Sequence, residues 1–296
     1  MKGITLRILA GLAVIGVLMV VSVITYMRHP LFGKLPDGER LARIENSLNY
    51  SNGQFQNQVP TPLKTTDQSE ISMWAQTIFG EKGQPRPVGN IPAIKTDLKA
   101  LNPSDDVVVW LGHSSYFAQL DGQRILIDPV FSENAAPVPM ANTAFAGTSI
   151  YSAEDMPSID VLLISHDHYD HLDYPSIKAL QSKVRKVVVG LGVGAHFQAW
   201  GYDPSIVTEA DWNENVDVSP TLQIDVTPAR HFSGRTFNRD KSLWVSFVVT
   251  SSSRRFFSVA IRGTPVISVK LVSVLARSTG WHWTWASTTR AGLTFT

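Results

Sequence analysis

Val161-Leu-Leu-Ile-Ser-His-Asp-His-Tyr-Asp-His-Leu-Asp-Tyr174 joins an apolar run to a run of polar and aromatic residues, and the reading of that junction decides the fold. Val161 to Ile164 is short, apolar and partly β-branched, which predicts a buried strand, and a helix-compatible segment begins at Pro175. His166, His168, Asp170 and His171 therefore share one strand-to-helix loop. In an extended loop, residues two apart point the same way, so His166 and His168 can converge on one ion while Asp170 and His171 turn toward a second. Imidazole and carboxylate at this spacing suit zinc or a neighbouring divalent ion. Three of the chain's eight histidines fall within six residues directly behind a core strand, an arrangement that packing alone does not explain.

Working outward, Asp106 to Leu111, Tyr116 to Leu120 and Arg124 to Ile127 alternate as strands, with Asp121-Gly122 as a hairpin turn, so they predict the start of an antiparallel sheet. His113 lies at the first turn and Asp128 ends the third strand, where a carboxylate can orient a ligand imidazole. Asn134 to Asp155 reads as a surface loop over the site. Pro175 to Ser182 carries a helical stripe, Val184 to Val189 returns as a strand, and Ala195 to Trp200 forms a second short helix on which His196 is structural. Glu209, Asp211 and Trp212 read as the turn before the strands Val216 to Val218 and Leu222 to Thr227. His231 follows that last strand as His166 follows its own, and a third imidazole from a distant strand end is what a three-histidine site needs.

The H-x-H-x-D-H string at His166, His168, Asp170 and His171 resembles the signature of the metallo-β-lactamase superfamily. Within it, Trp110-Leu-Gly-His-Ser-Ser115, Ile127-Asp-Pro129 and Pro228-Ala-Arg-His-Phe-Ser233 are similar to the branch that holds N-acylphosphatidylethanolamine-hydrolysing phospholipase D and its bacterial relatives. The likeness runs over about residues 31 to 258. It implies an α/β chain with an αββα sandwich and a binuclear zinc hydrolase of phosphodiesters. His166, His168 and His231 would hold the first ion and Asp170 and His171 the second. Asp170 would also orient the attacking water, and His113 would act at the rim as a substrate or acid/base residue. A phospholipid or another small-molecule ester, a lactone included, is the substrate class that follows.

Composition agrees with one sizeable core: 296 residues, 44% apolar, with a net charge of +1 that gives no field for nucleic acid. There is no cysteine, which removes disulfides and thiolate ligands together. Ile8 to Tyr26 is an uncharged apolar run of 19 residues between Arg7 and Arg28. That length spans a bilayer as a helix. A cleaved signal peptide is the competing reading, but Val21-Ser-Val-Ile-Thr-Tyr26 offers no small-x-small site, which favours a retained anchor with the catalytic domain outside the cytoplasm. His29 to Leu101 is rich in Pro, Gly, Asn and Gln, with helix-compatible pieces at Gly38 to Leu48 and Glu70 to Phe79. The string Asn49-Tyr-Ser-Asn-Gly-Gln-Phe-Gln-Asn-Gln58, followed by Pro60-Thr-Pro62, resembles the segment before the catalytic domain in the same branch and marks an ordered arm that wraps it. The expected organisation is an anchor over 1–28, an extension over 29–104, a partial metallo-β-lactamase-like domain over 105–257 and a distinct tail over 258–296.

That tail departs from the rest. Asp240 is the last acidic residue, and the 56 residues from Lys241 to Thr296 hold neither Asp nor Glu, where 25 acidic residues in 296 would place about five. Reading the last base of each codon with the first two of the next, Val259 to Thr264 permits Gly-Asp-Ser-Gly-Tyr, and Pro265 to Ser268 permits Gly-His-Phe. Ala291 to Thr296 likewise permits Trp-Pro-Tyr-Ile-His. The first and last of these resemble segments that the phospholipase-D-like branch uses in that order, which points to a reading-frame slip near Arg255 to Phe257. In the family the Asp of the first word bridges the two metals, and a later His completes the second site. The chain as written is then expected to leave the second half of the sandwich incomplete, with an apolar face of the sheet at Leu243 to Val249 uncovered. It would hold one ion or none and be inactive, with His282 as the substitute ligand in the tail.

Overall fold

The computed structural model describes residues 2–61, 67–80, 87–138 and 141–258. Its first element, α1 (Lys2–Tyr26), contains the window Leu9–Tyr26, which is unburied and is long and apolar enough to cross a membrane. An arm follows with α2 (Gly38–Glu45) and a two-residue-strand hairpin of β1 (Tyr50–Ser51) and β2 (Gln54–Phe55). Then comes α3 (Glu70–Phe79), which Ser69 caps by accepting a hydrogen bond from the Ser72 amide.

β3 (Val107–Gly112), β4 (Ser115–Leu120) and β5 (Gln123–Ile127) form an antiparallel meander. The turn into β5 uses Asp121 at φ 48° and Gly122 at φ 75°, the pair of left-handed residues that a tight hairpin requires. β6 (Val161–Ile164), α4 (Tyr174–Leu180), β7 (Val187–Gly190), α5 (Gly194–Ala199) and β8 (Val207–Ala210) extend the sheet in parallel, in the order β3-β4-β5-β6-β7-β8. The sheet is thus mixed, the expected antiparallel meander followed by the alternation of strands and short helices read after it. β9 (Asn215–Ser219), β10 (Leu222–Pro228), β11 (Val245–Ser251) and β12 (Arg255–Ser258) make a second, antiparallel sheet in the order β12-β11-β10-β9.

Every residue of β6 is buried because the strand has two dry faces. Val161 and Leu163 lie in one core cluster with Ile224, Val226, Val245 and Phe247 of the second sheet, while Leu162 and Ile164 lie in another with Ile177 and Leu180 of α4 and Phe197 of α5. A strand buried on both faces has no polar alternation, which is why the run reads as continuous apolar sequence. The described residues therefore stack as helices, sheet and sheet, a mixed α/β arrangement with the second outer layer incomplete.

Two expectations change. Glu209 lies in β8 and not in a turn, with its carboxylate accepting hydrogen bonds from the Gly192 and Gly194 amides at 2.6 and 3.2 Å. The apolar face of β11, formed by Val245, Phe247 and Val249, is covered by the first sheet, and the alternate positions Ser246, Val248 and Thr250 face the other way. On that second face Ser246 is buried and Val248 and Thr250 are half-buried. The tail from residue 259 on, with His282 and the codon words, lies outside the described residues.

The arm joins the core directly. Ile44 and Phe55 are buried among Trp212, Trp244 and the inter-sheet residues, and Leu98 is buried on the helical side. Arg40 pairs with Glu209 at 2.5 Å, Ser47 and Asn49 donate to Asp211 at 2.5 and 2.8 Å, and the Trp200 indole donates to Pro30 O at 2.8 Å.

Candidate metal centre

The loop between β6 and α4 follows the C-terminal end of a parallel strand, the edge where open α/β sheets place their ligands. Within it the amides of His171 and Leu172 both donate to His168 O, at 3.1 and 2.8 Å. This turn sends His168 one way and Asp170 and His171 another. Asp173 ends the loop as the cap of α4, accepting from the Ser176 amide. Two separate groups of donors result: His166, His168 and His231 in one, and His113, Asp170 and His171 in the other, each with ligand atoms within 4.8 Å of one another.

In the first group, His166 Nε2 lies 2.9 Å from His168 Nδ1, and His168 Nδ1 lies 3.3 Å from His231 Nε2. Zinc–nitrogen bonds of about 2.0–2.1 Å at a tetrahedral angle put ligand nitrogens about 3.3 Å apart, so these atoms already hold close to the required separation. At most one proton fits among the three nitrogens, whereas a divalent ion satisfies all of them. Burial, followed by the neighbouring imidazoles, pushes His166 well below its ordinary range and His231 down to about 4; burial also lowers His168. All three are neutral at pH 7, the form that binds a metal. The donor set fits a divalent ion of the zinc type.

Asp128 organises both groups from behind. Its backbone takes the left-handed conformation at φ 43°, which turns the carboxylate back under the loop. Oδ2 lies 2.8 Å from His171 Nδ1 and accepts the Ser165 hydroxyl at 2.6 Å, while Oδ1 accepts the Ser165 amide at 2.7 Å. His171 must then carry its proton on Nδ1, leaving Nε2 free. Ser165, having given its own proton to Asp128, accepts from His166 Nδ1 at 2.9 Å, which leaves His166 Nε2 free for the first group. One buried carboxylate thus sets two tautomers, one of them through a hydroxyl. The orienting role is the one expected of Asp128 from sequence; the Ser165 relay is not, because a serine beside the motif reads as turn chemistry.

The second group is closed by an ion pair. His113, at φ 45° in the turn between β3 and β4, places Nε2 3.1 Å from Asp170 Oδ2. The hydrogen bond to Asp170 raises the His113 pKa despite burial. Burial would raise Asp170, but the His113 hydrogen bond, the charges of His171 and His113 and a hydrogen bond from Asn142 outweigh it and hold the carboxylate well below its usual range. Asn142 comes from the loop expected over the site, and nothing in its sequence context marks it. His113, read from sequence as a rim residue, is the exposed member of this group. His196 belongs to neither: it is buried, 3.5 Å from Asp167, and its Nδ1 accepts the Lys34 amide at 3.0 Å.

Comparison with known proteins adds to this geometry. The chain is 34% identical over 214 residues to an uncharacterized protein of Mycobacterium tuberculosis, a match that covers 72% of this chain and 57% of that one. It is 34% identical over 162 residues to N-acyl-phosphatidylethanolamine-hydrolyzing phospholipase D 1 of Caenorhabditis elegans, covering 50% of this chain and 44% of the nematode protein. A mitochondrial N-acyl-phosphatidylethanolamine-hydrolyzing phospholipase D of Saccharomyces cerevisiae is 34% identical over 146 residues, 48% of this chain and 31% of the yeast protein. The chain thus spans little more than half the length of the first of these relatives and less of the other two. Residues 123–259 match the family described as Beta-lactamase superfamily domain, and that stretch holds five of the six donor residues.

Proposed function

We propose that this chain carries the machinery of a zinc-dependent phosphodiester hydrolase held at a membrane by α1, acting on phospholipids of the N-acylphosphatidylethanolamine type. The observation that supports it most is the pair of donor groups around the β6–α4 loop, four side chains from that loop joined by His231 and His113 from elsewhere, with Asp128 setting two of the imidazoles. When bound, a divalent ion there supplies Lewis acidity toward a phosphoryl oxygen and lowers the pKa of water to about 7. The chain's own residues supply the rest. In this reading Asp170 would orient the attacking water and take its proton, and His113, its neighbour at the edge of the second group, would deliver a proton to the departing alcohol oxygen. Water adds to phosphorus, the bond from phosphorus to the alcohol breaks, and the proton count balances. A phospholipid substrate suits a domain whose preceding helix ends beside it, with the Tyr26 hydroxyl bonded to Pro137 O.

A second reading concerns the chain in its present frame. Among the described residues no carboxylate is common to both donor groups. If the slip near Arg255 to Phe257 is genuine, the restored frame supplies the bridging Asp, and the present chain is an inactive relative that holds one ion. Metal analysis and hydrolysis of N-acylphosphatidylethanolamine in detergent, run on the chain as it stands and on the frame-restored form, test both readings. The expected result is about two ions and turnover in the restored form, with at most one ion and none in the present one. No bound metal in the restored form would end the proposal. Carbonate extraction should leave the chain in the membrane pellet, and recovery of a soluble form starting near residue 30 would remove the anchor.

A further inference from the structure

His231 stands three residues beyond β10, in a stretch with no strand partner, yet its main chain is fully engaged. Asn57, from the arm, donates through Nδ2 to His231 O at 2.7 Å and accepts the His231 amide on Oδ1 at 3.1 Å. The same oxygen accepts the Trp244 indole N–H at 3.0 Å. Two N–H donors on one side and a carbonyl on the other leave only one orientation of the amide. One side chain thus does for His231 what a neighbouring strand does in a ladder. The arm on either side is fixed to the same region: the Phe55 amide donates to Asp240 O at 2.9 Å, and Arg230 Nε donates to Thr61 Oγ1 at 2.6 Å. His166 and His168 come from the loop after β6, so the angle at which His231 meets them depends on what holds its backbone.

We propose that Asn57 is a positioning residue for the metal centre: by clamping both backbone groups of His231 it sets the third imidazole of the first donor group, and the arm completes the centre. This rests on reading that group as a metal site. Without the clamp, the His231 peptide groups lose their partners and the ring is free to turn off the common point. Outer partners of metal ligands typically contribute about 10–100-fold in affinity, and that is the loss expected here.

Cobalt(II) serves as the probe, because its visible absorption reports ligand number and geometry without any assay of activity. The full chain in detergent is titrated alongside Asn57→Ala, Asn57→Asp and Ser47→Ala. Ser47 also fastens the arm, through Asp211, but touches nothing near the histidines. Asn57→Ala should bind cobalt about 10–100-fold more weakly with altered absorption. Asn57→Asp keeps an acceptor for the His231 amide and Trp244 but not the donor to His231 O, so it should fall between. Ser47→Ala should loosen the arm to proteolysis and leave the spectrum unchanged. Wild-type spectrum and affinity in Asn57→Ala, or in folded Asn57→Asp should the alanine variant not fold, would overturn the inference while sparing the metal reading. No cobalt absorption in the unsubstituted chain would overturn both.

Discussion

The two donor groups share the loop after β6 but are completed and held in different ways. The first takes His166 and His168 from the end of β6 in one sheet and His231 from beyond β10 in the other, so it exists only when the sheets are docked. The second takes Asp170 and His171 from the loop and His113 from the β3–β4 turn, all within one sheet. Their chemistry differs to match. The nitrogens of the first group face one another and are neutral, an open set that an ion fills, whereas His113 and Asp170 already satisfy each other at 3.1 Å. An ion entering the second group must displace that pair. If the groups hold ions, the first is expected to be the stronger site and the second a conditional one, so the stronger would be the one assembled from the more distant parts.

The largest test of this contrast is removal of one donor from each group. His168→Ala should empty the first group outright, and with it any hydrolysis in the frame-restored chain, because two imidazoles do not make a stable zinc site. His171→Ala should leave one ion per chain. Elemental analysis of the purified variants distinguishes them; if His171→Ala also emptied the first group, the two would be one coupled site.

Next in size is the sheet interface. Phe247 is fully buried between the sheets. Phe247→Ala should cost about 3–5 kcal/mol in denaturant unfolding. The metal-linked stabilisation of the first group should fall with it, because His231 moves with the second sheet. Leu180→Ala, on the helical side of the first sheet, should cost about 2–5 kcal/mol without that linkage. Equal loss of cobalt binding in the two variants at matched stability would break the distinction.

How far this was readable from sequence follows the same division. The β6 run and its four following donors were legible because a doubly buried strand leaves no polar alternation and because ligands two apart in a loop converge. The hairpin at Asp121-Gly122 and α3 over Glu70–Phe79 were legible from local turn and cap chemistry. β8 was not, since Val207, Thr208 and Glu209 at the sheet edge are only partly buried and Glu209 serves the Gly192 and Gly194 amides. That Val245, Phe247 and Val249 turn toward the first sheet was not legible, because alternation places residues on opposite faces without saying which neighbour each face meets. His113 is exposed, as a rim residue is, but its contact with Asp170 was not legible, because a turn histidine carries no sign of the left-handed φ that brings its ring there. Ser165 and Asn142 act through contacts that no spacing encodes.

Asp128 serves both groups, and its replacement gives a smaller but more even effect. Asp128→Asn retains an oxygen for the Ser165 amide, and asparagine tolerates the left-handed backbone. It loses the charge that holds the His171 proton on Nδ1 and that receives the Ser165 hydroxyl. Affinity should drop about 10–100-fold at both groups, against loss at one only for the donor variants. A drop confined to the second group, seen as a selective change in the weaker phase of a cobalt titration, would mean that the Ser165 relay does not govern His166.

The smallest expected effect lies at the opposite edge of the sandwich, where Asp121 ties the two sheets far from either donor group. Its carboxylate accepts the Ser251 hydroxyl, the Ser253 amide and the Ser253 hydroxyl, each at 2.7 Å. Burial raises its pKa, but those bonds and the charge of Arg254 outweigh it, and the folded value lies below the ordinary one. A carboxylate depressed in this way contributes stability that is fully present above its unfolded pKa of about 3.9 and is lost as the pH falls through the folded value. Asp121→Asn keeps the left-handed turn and removes the charge. At pH 7 the variant should be less stable by no more than about 1 kcal/mol, since solvent screens this exposed turn. The gap should close as the pH is brought below 4, and cobalt binding should be the same in both chains. A gap that persisted at low pH would place the effect in the packing of the amide and not in the charge. A change in cobalt affinity would mean that the docking of the sheets is set as much by this far edge as by the core, and that the first group is sensitive to the whole interface between them.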